Sequence, residues 1–88
     1  MKFQVTQQDI DMGKRCSSFG CPVALAIRMR LKVYVSFVYV TGTQVQIGGS
    51  TFELPGEVEY FVNCFDDDDF PRDELRPFEF DLPYEPEA

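Results

Sequence analysis

Apolar and polar positions change their period several times along this chain, and each change marks an element. Phe3 and Val5 alternate with Lys2 and Gln4, the period of a short strand with one buried face. Thr6, with Asp9 three residues on, resembles a capping box, so a short helix is predicted from Gln7 to about Met12. Gly13 stands where a left-handed residue ends a helix, and Lys14 to Gly20 reads as a basic, flexible connection. Pro22 suits a first helical position, with Cys21 or Ser18 just outside it. This second helix should run to about Leu31, with Val23, Ala24, Ile27 and Leu31 as its apolar stripe.

From Val33 to Val40 the period falls to two. Val33, Val35, Phe37 and Tyr39 share one face, and Tyr34, Ser36, Val38 and Val40 the other. Both faces are largely apolar, which predicts a central strand, with Tyr34 and Val38 facing either the core or an interface between two copies. Thr41-Gly42 supplies a turn, Val45 and Ile47 alternate with Gln44 and Gln46, and Gly48-Gly49-Ser50 turns the chain again before Phe52 and Leu54. Pro55 opens a third helix whose Val58, Phe61, Val62 and Phe65 fall at i, i+3, i+4, i+7. That helix should end where Asp66 to Asp69 begin, because adjacent carboxylates repel one another and oppose the negative end of the helix dipole. Phe70 to Arg76 is then loop, and Phe78, Phe80 and Leu82 alternate with acids between Pro77 and Pro83, the pattern of an edge strand. The expected fold class is α+β: one domain over residues 1–88, an antiparallel meander of about three strands plus terminal strands, and two to three short helices packed on the sheet. Residues 83–88 are expected to fray.

With 88 residues, 44% of them hydrophobic and nine Phe, the chain has enough apolar surface for one Phe-rich core and too little length for two domains. Its longest apolar runs fall well short of the roughly 20 residues a spanning helix needs. The N-terminus turns polar at once, unlike a signal peptide, so the expected location is the cytoplasm.

Charge changes the picture more than composition does. Residues 1–32 hold six Lys or Arg against two acids, and residues 33–88 hold two Arg against thirteen acids, so the net −7 is +4 plus −11. Arg28, Arg30 and Lys32 complement the negative end of the second helix. The acidic excess peaks in Asp66, Asp67, Asp68, Asp69, Asp73 and Glu74, six carboxylates within nine residues, beside Phe70 as an aromatic anchor.

Several chemistries are disfavoured. No His is present, which removes the usual general base and the commonest metal ligand. Three cysteines cannot make a four-cysteine zinc site, and their odd number argues against a disulfide framework. Cys21 at a helix start, near Lys14 and Arg15, invites a lowered thiol pKa and a redox pair with Cys16, against the plainer reading of a small buried residue. The aspartate run fails as an EF-hand, since a loop starting at Asp66 places Phe70, Pro71 and Pro77 at positions five, six and twelve. Gly48-Gly49-Ser50 lacks the spacing and the Lys of a phosphate cradle. No enzyme, cofactor or metal is expected.

Two partner classes follow from the charge. An acidic loop at Asp66–Glu74 suits a basic protein surface, such as the groove of a nucleic-acid-processing complex, in which carboxylates take the place of phosphates. Its plainer counterpart is solubility. The alternative is a nucleic-acid-binding or regulatory domain using Lys14, Arg15, Arg28, Arg30 and Lys32, which the remaining acidity opposes.

The segments Val5 to Ile10, Gly13 to Arg15, Cys21 to Ala26, Leu54-Pro55, Val62, Phe65-Asp66 and Pro77 to Phe80 resemble a group of small uncharacterised bacterial and phage proteins. Cys64 and Asp67 to Asp69 depart from that pattern. The resemblance implies no activity, cofactor or site residue. Small acidic phage proteins often block a host machine, so by analogy the expectation is an inhibitor of the anti-CRISPR or host-takeover kind.

Overall fold

The computed structural model describes residues 1–85, and its elements follow from which faces of a few short segments can be buried together. Strand β1 (Lys2–Val5) is succeeded by helix α1 (Gln7–Met12) and helix α2 (Pro22–Leu31). Strands β2 (Val38–Val40), β3 (Gln44–Ile47) and β4 (Ser50–Glu53) come next, then helix α3 (Gly56–Asp66) and strand β5 (Phe78–Asp81). The strands form two antiparallel sheets, a β2-β3-β4 meander and a β1-β5 pair, giving the α+β architecture of a small single domain. No helix among the described residues is long and apolar enough to cross a membrane. The expectation of fraying at residues 86–88 lies outside the described residues, whereas the ring of Tyr84 meets Phe52 edge-on at 6.0 Å.

The terminal pair closes the chain on itself. Phe3 lies opposite Phe80, their rings stacked at 5.6 Å, and the Met1 amine donates to the Leu82 carbonyl at 2.6 Å. Phe78 of β5 reaches Phe61 of α3 at 4.7 Å, and Phe61 stacks on Phe65 at 6.2 Å, so one run of aromatic contacts ties β1, β5 and α3 together. Val58, Phe61, Val62 and Phe65 are all buried, as the helical spacing predicts. Each such side chain contributes about 1.5–3 kcal/mol by leaving water.

Helix α2 packs on β1 of one sheet and on β2 of the other, and it also meets α1. Val23, Ala24, Ala26 and Ile27 are buried there, while Leu31 is only half-buried. Cys21 is its N-cap, without a side-chain hydrogen bond.

At α1 the capping box is present: Thr6 N donates to Asp9 Oδ2 at 2.9 Å and Asp9 N to Thr6 Oγ1 at 3.2 Å. The helix ends differently from the expected left-handed glycine. Gly13 is extended, with φ −66° and ψ 151°. What demands glycine is space, because a Cβ there would lie 2.7 Å from Cγ and Cδ of Pro22, at the start of α2. The residue that does end a helix left-handed is Lys32, with φ 57° and ψ 50°, whose N–H donates to the Arg28 carbonyl at 2.7 Å.

The predicted eight-residue central strand is the largest departure. Only Val38–Val40 is strand, and it lies at an edge of the meander with β3 in the centre. Val35–Phe37 forms a single 3-10 turn, with Phe37 N donating to the Tyr34 carbonyl at 3.0 Å. The cause is the partner's length. Strand β3 stops at Ile47, Gly48 donates the last rung to the Phe37 carbonyl at 2.8 Å, and at φ +60° it turns the chain away. Residues before Phe37 therefore have no strand beside them. The outer side of β2 meets a loop instead, Val40 N donating to the Ser18 carbonyl at 2.9 Å.

Crowding at Gly13 gives a direct test. Gly13→Ala should lower unfolding stability by about 1–3 kcal/mol in urea denaturation, the usual cost of overpacking. Gly49→Ala, where nothing lies within 4 Å of an added Cβ, should change it by less than about 0.5 kcal/mol.

Candidate interaction surfaces

The acidic loop is built on the C-terminal end of α3, and the chain braces its backbone from outside. Arg15, from the connection expected to be flexible, donates from Nε to the Phe65 carbonyl at 3.0 Å and from Nη2 to the Phe70 carbonyl at 3.3 Å. A cation at a helix C-terminus satisfies carbonyls that have no partner within the helix and complements its dipole. Next to it, Cys16, at φ 55°, donates from its N to Asp66 Oδ1 at 2.9 Å. Asp67 accepts from Asp69 N at 2.9 Å, and a 3-10 turn at Arg72–Glu74 completes the loop.

The six acids and Phe70 separate into two groups. Asp66 is half-buried and holds the Cys16 amide, and Phe70 is half-buried with its side chain against the core. Asp67, Asp68, Asp69, Asp73 and Glu74 are exposed. The loop's own cations do little to neutralise them. Arg72 lies over the Phe65 ring at 4.7 Å, and Arg76 donates to the carbonyls of Asp73 and Leu75. Arg15–Asp68 is the ion pair of this loop among the described residues, at 3.8 Å with the Asp68 side chain 90% exposed, and such a pair contributes little. Among the described residues no three Cys, Asp or Glu side chains converge where a cation would be held.

Cys21 behaves opposite to the expected activated thiol. It is 3% exposed, and burial pushes its pKa up, overcoming the backbone N–H groups at the helix start. Arg15, expected to favour the thiolate, is committed to the carbonyls of Phe65 and Phe70, and Asp66 adds a further upward push. Cys16 is exposed, and Asp66 lines the same small crevice as Cys16 and Cys21, of about 150 Å³.

A second surface was not foreseen from the sequence. Met12, Phe19, Met29, Tyr34, Val35, Phe37 and Tyr39 are exposed large hydrophobic side chains, with Tyr34 85% and Met29 75% accessible. Three clefts join most of them. One of about 330 Å³ lies between Met12, Leu25, Arg28, Met29, Lys32 and Val33. A second, of about 280 Å³, shares Met12, Leu25 and Arg28 with it and extends to Lys14, Phe19 and Val35. Phe19 is also a wall of the third, of about 210 Å³, with Phe37 and Tyr39, the last of these edge-on to Phe19 at 5.1 Å. Contiguous exposed apolar surface of this kind marks sites of association. Its signal was present in α2: Leu25, Arg28, Met29 and Lys32 stand at i, i+3, i+4, i+7, a second stripe beside the buried one. A central strand over Val33–Val40 would account for the apolar side chains beside this stripe, and so hides it.

Compared with protein-family models, with curated proteins and with solved structures, the chain matches none.

Two measurements check this geometry. Arg15→Ala removes the brace at two carbonyls and should cost about 1.5–3 kcal/mol, the range for hydrogen bonds to a charged group, read as a lowered urea midpoint. In the native protein at neutral pH a thiol reagent should label Cys16 and leave Cys21 unmodified until unfolding. Because the folded pKa of Cys21 lies above its unfolded value, its contribution to stability is present at neutral pH and is lost as pH rises through and beyond the ordinary thiol range. Cys21→Ala should reduce that alkaline slope.

Proposed function

We propose that this chain is a protein-interaction module that presents a braced acidic loop to a basic surface of a partner. The observation that carries the reading is how the arginines in and around the loop are used. Arg15, Arg72 and Arg76 are directed to carbonyls and to a ring, and the five carboxylates of Asp67, Asp68, Asp69, Asp73 and Glu74 remain exposed on a backbone held in place. A solubilising run has no need of such bracing, whereas a recognition surface gains affinity when its geometry is set before binding. Clustered carboxylates at fixed spacing can occupy a site that otherwise receives phosphates, and steer the encounter from a distance.

The narrower reading, an inhibitor of the anti-CRISPR or host-takeover kind acting in a bacterial cytoplasm, rests on analogy with small acidic phage proteins. The competing reading, direct nucleic-acid binding by the basic third, loses support from Arg15, whose guanidinium is engaged inside the protein.

A capture experiment with the immobilised full chain in bacterial lysate tests the proposal. A partner should be retained at low salt, released as salt rises, and displaced by added duplex DNA. The variant with Asp67, Asp68, Asp69 and Asp73 changed to Asn and Glu74 to Gln should lose it. Retention by that variant, or failure of DNA to compete, contradicts the acidic-loop mechanism. A gel shift of DNA by the chain itself establishes the competing reading.

A further inference from the structure

We infer that the apolar strip along α2 and the 33–39 segment is a second docking surface, and that its occupant is an acidic polypeptide segment carrying large apolar side chains. The three clefts are neighbours, the first two sharing Met12, Leu25 and Arg28 and the last two sharing Phe19, so they form one row of concavities, a channel interrupted by side chains, from Val33 to Tyr39. Two of its side chains, Met12 and Met29, are unbranched thioethers, which adapt to irregular apolar partners.

Charge selects the occupant. Arg28 lies in the wall common to the first two clefts, Lys32 lines the first and Lys14 the second. Among the described residues none of these three has a carboxylate within salt-bridge distance, the ion pairs being Lys2–Glu79 and Arg15–Asp68. Asp9, the acid on this channel, already accepts from the amide and hydroxyl of Thr6. Arg28 adds an independent sign. Its Nε is buried without a hydrogen-bond partner, so part of a guanidinium has left water and gained nothing in exchange. A carboxylate brought to this guanidinium meets a partly desolvated cation, where attraction is stronger than at an open surface.

A second copy fits less well. A two-fold contact of strip on strip brings Lys14, Arg28 and Lys32 of both copies into one interface in which Asp9 is the acid lining the clefts, an excess of like charge. An anionic bilayer would receive protruding side chains, whereas this surface is a line of concavities suited to side chains of an incoming chain.

The test selects random displayed peptides on the full chain and measures the recovered ones by fluorescence anisotropy. Expected is enrichment of Asp or Glu interspersed with Leu, Phe or Trp. Affinity should fall about tenfold in Met29→Glu or Lys32→Glu, and stay unchanged when the carboxylates from Asp67 to Glu74 are neutralised. Both variants change exposed positions, and thermal melts of each establish that the fold is kept. The inference is overturned by any of four results: no enrichment, enrichment without acids, or binding indifferent to Met29→Glu and Lys32→Glu are three. The fourth is occupation by something else, shown as a dimer that Met29→Glu dissociates in sedimentation equilibrium, or as binding to phosphatidylglycerol vesicles without binding to peptides. The neutralised-loop variant separates this outcome from failure of the acidic-loop reading.

Discussion

Helix α2 must serve two sheets at once, and the rest of the molecule is arranged around that demand. It packs on β1, which is paired with the far end of the chain, and on β2 of the meander. Ala24 and Ala26 among its buried residues let the neighbouring backbones approach, and Gly13 lets α1 arrive without a clash against Pro22. A ten-residue helix has room for one such commitment. With Val23, Ala24, Ala26 and Ile27 spent on the core, the stripe of Leu25, Arg28, Met29 and Lys32 has only the short α1 and the 33–35 segment beside it, and it remains a cleft.

The same helix turns a charge split in sequence into a separation in space. Asp66 lines a crevice with Cys21, at the N-terminal end of α2, while Arg28 and Lys32 stand at its C-terminal end, about 15 Å away at 1.5 Å per residue. Both placements agree with the helix dipole. Arg15 breaks the pattern, since it belongs to the basic third in sequence and to the acidic end in space. By bonding carbonyls of Phe65 and Phe70, it fixes the loop's course while leaving most carboxylates unpaired. Their mutual repulsion is tolerable because they face water, where screening acts over about 10 Å at ordinary salt.

Legibility in the sequence followed the reach of the interaction. The capping box at Thr6 and Asp9, the start of α2 at Pro22, the buried stripe of α3 and the β5 alternation each depend on neighbours within a turn or two, and each is found in place. Whether Val33–Val40 could remain extended depended on the length of β3, set by Gly48 a turn later, and no property of the run itself carried that information. Arg15 illustrates the same limit at greater range: its partners lie fifty and fifty-five residues away, so its local context of Lys, Ser and Gly suggested a flexible linker. The candidate site was legible in composition, as a cluster of acids, and illegible in detail. Which acids face solvent follows from the Cys16 amide claiming Asp66 and the core claiming Phe70.

The short distance between the two surfaces constrains how they can be used. A standard interface takes about 800 Å² from each partner, a footprint about 30 Å across, whereas the ends of α2 are only about 15 Å apart. Two such footprints take about 1600 Å² of the 5485 Å² that the protein exposes, and if centred on the two ends of α2 they would overlap along its side. Two separate globular partners of that size, each centred on one end of α2, would therefore exclude one another. A single partner escapes this conflict when it offers a basic surface to Asp67–Glu74 and an acidic apolar segment to the Met12–Met29 channel. Opposite charges at the two ends then fix its orientation, since reversing the docked protein sets acid against acid and cation against cation. On the two proposed contacts, the charge split would act as a polarity marker for docking, in addition to the attraction either end exerts alone.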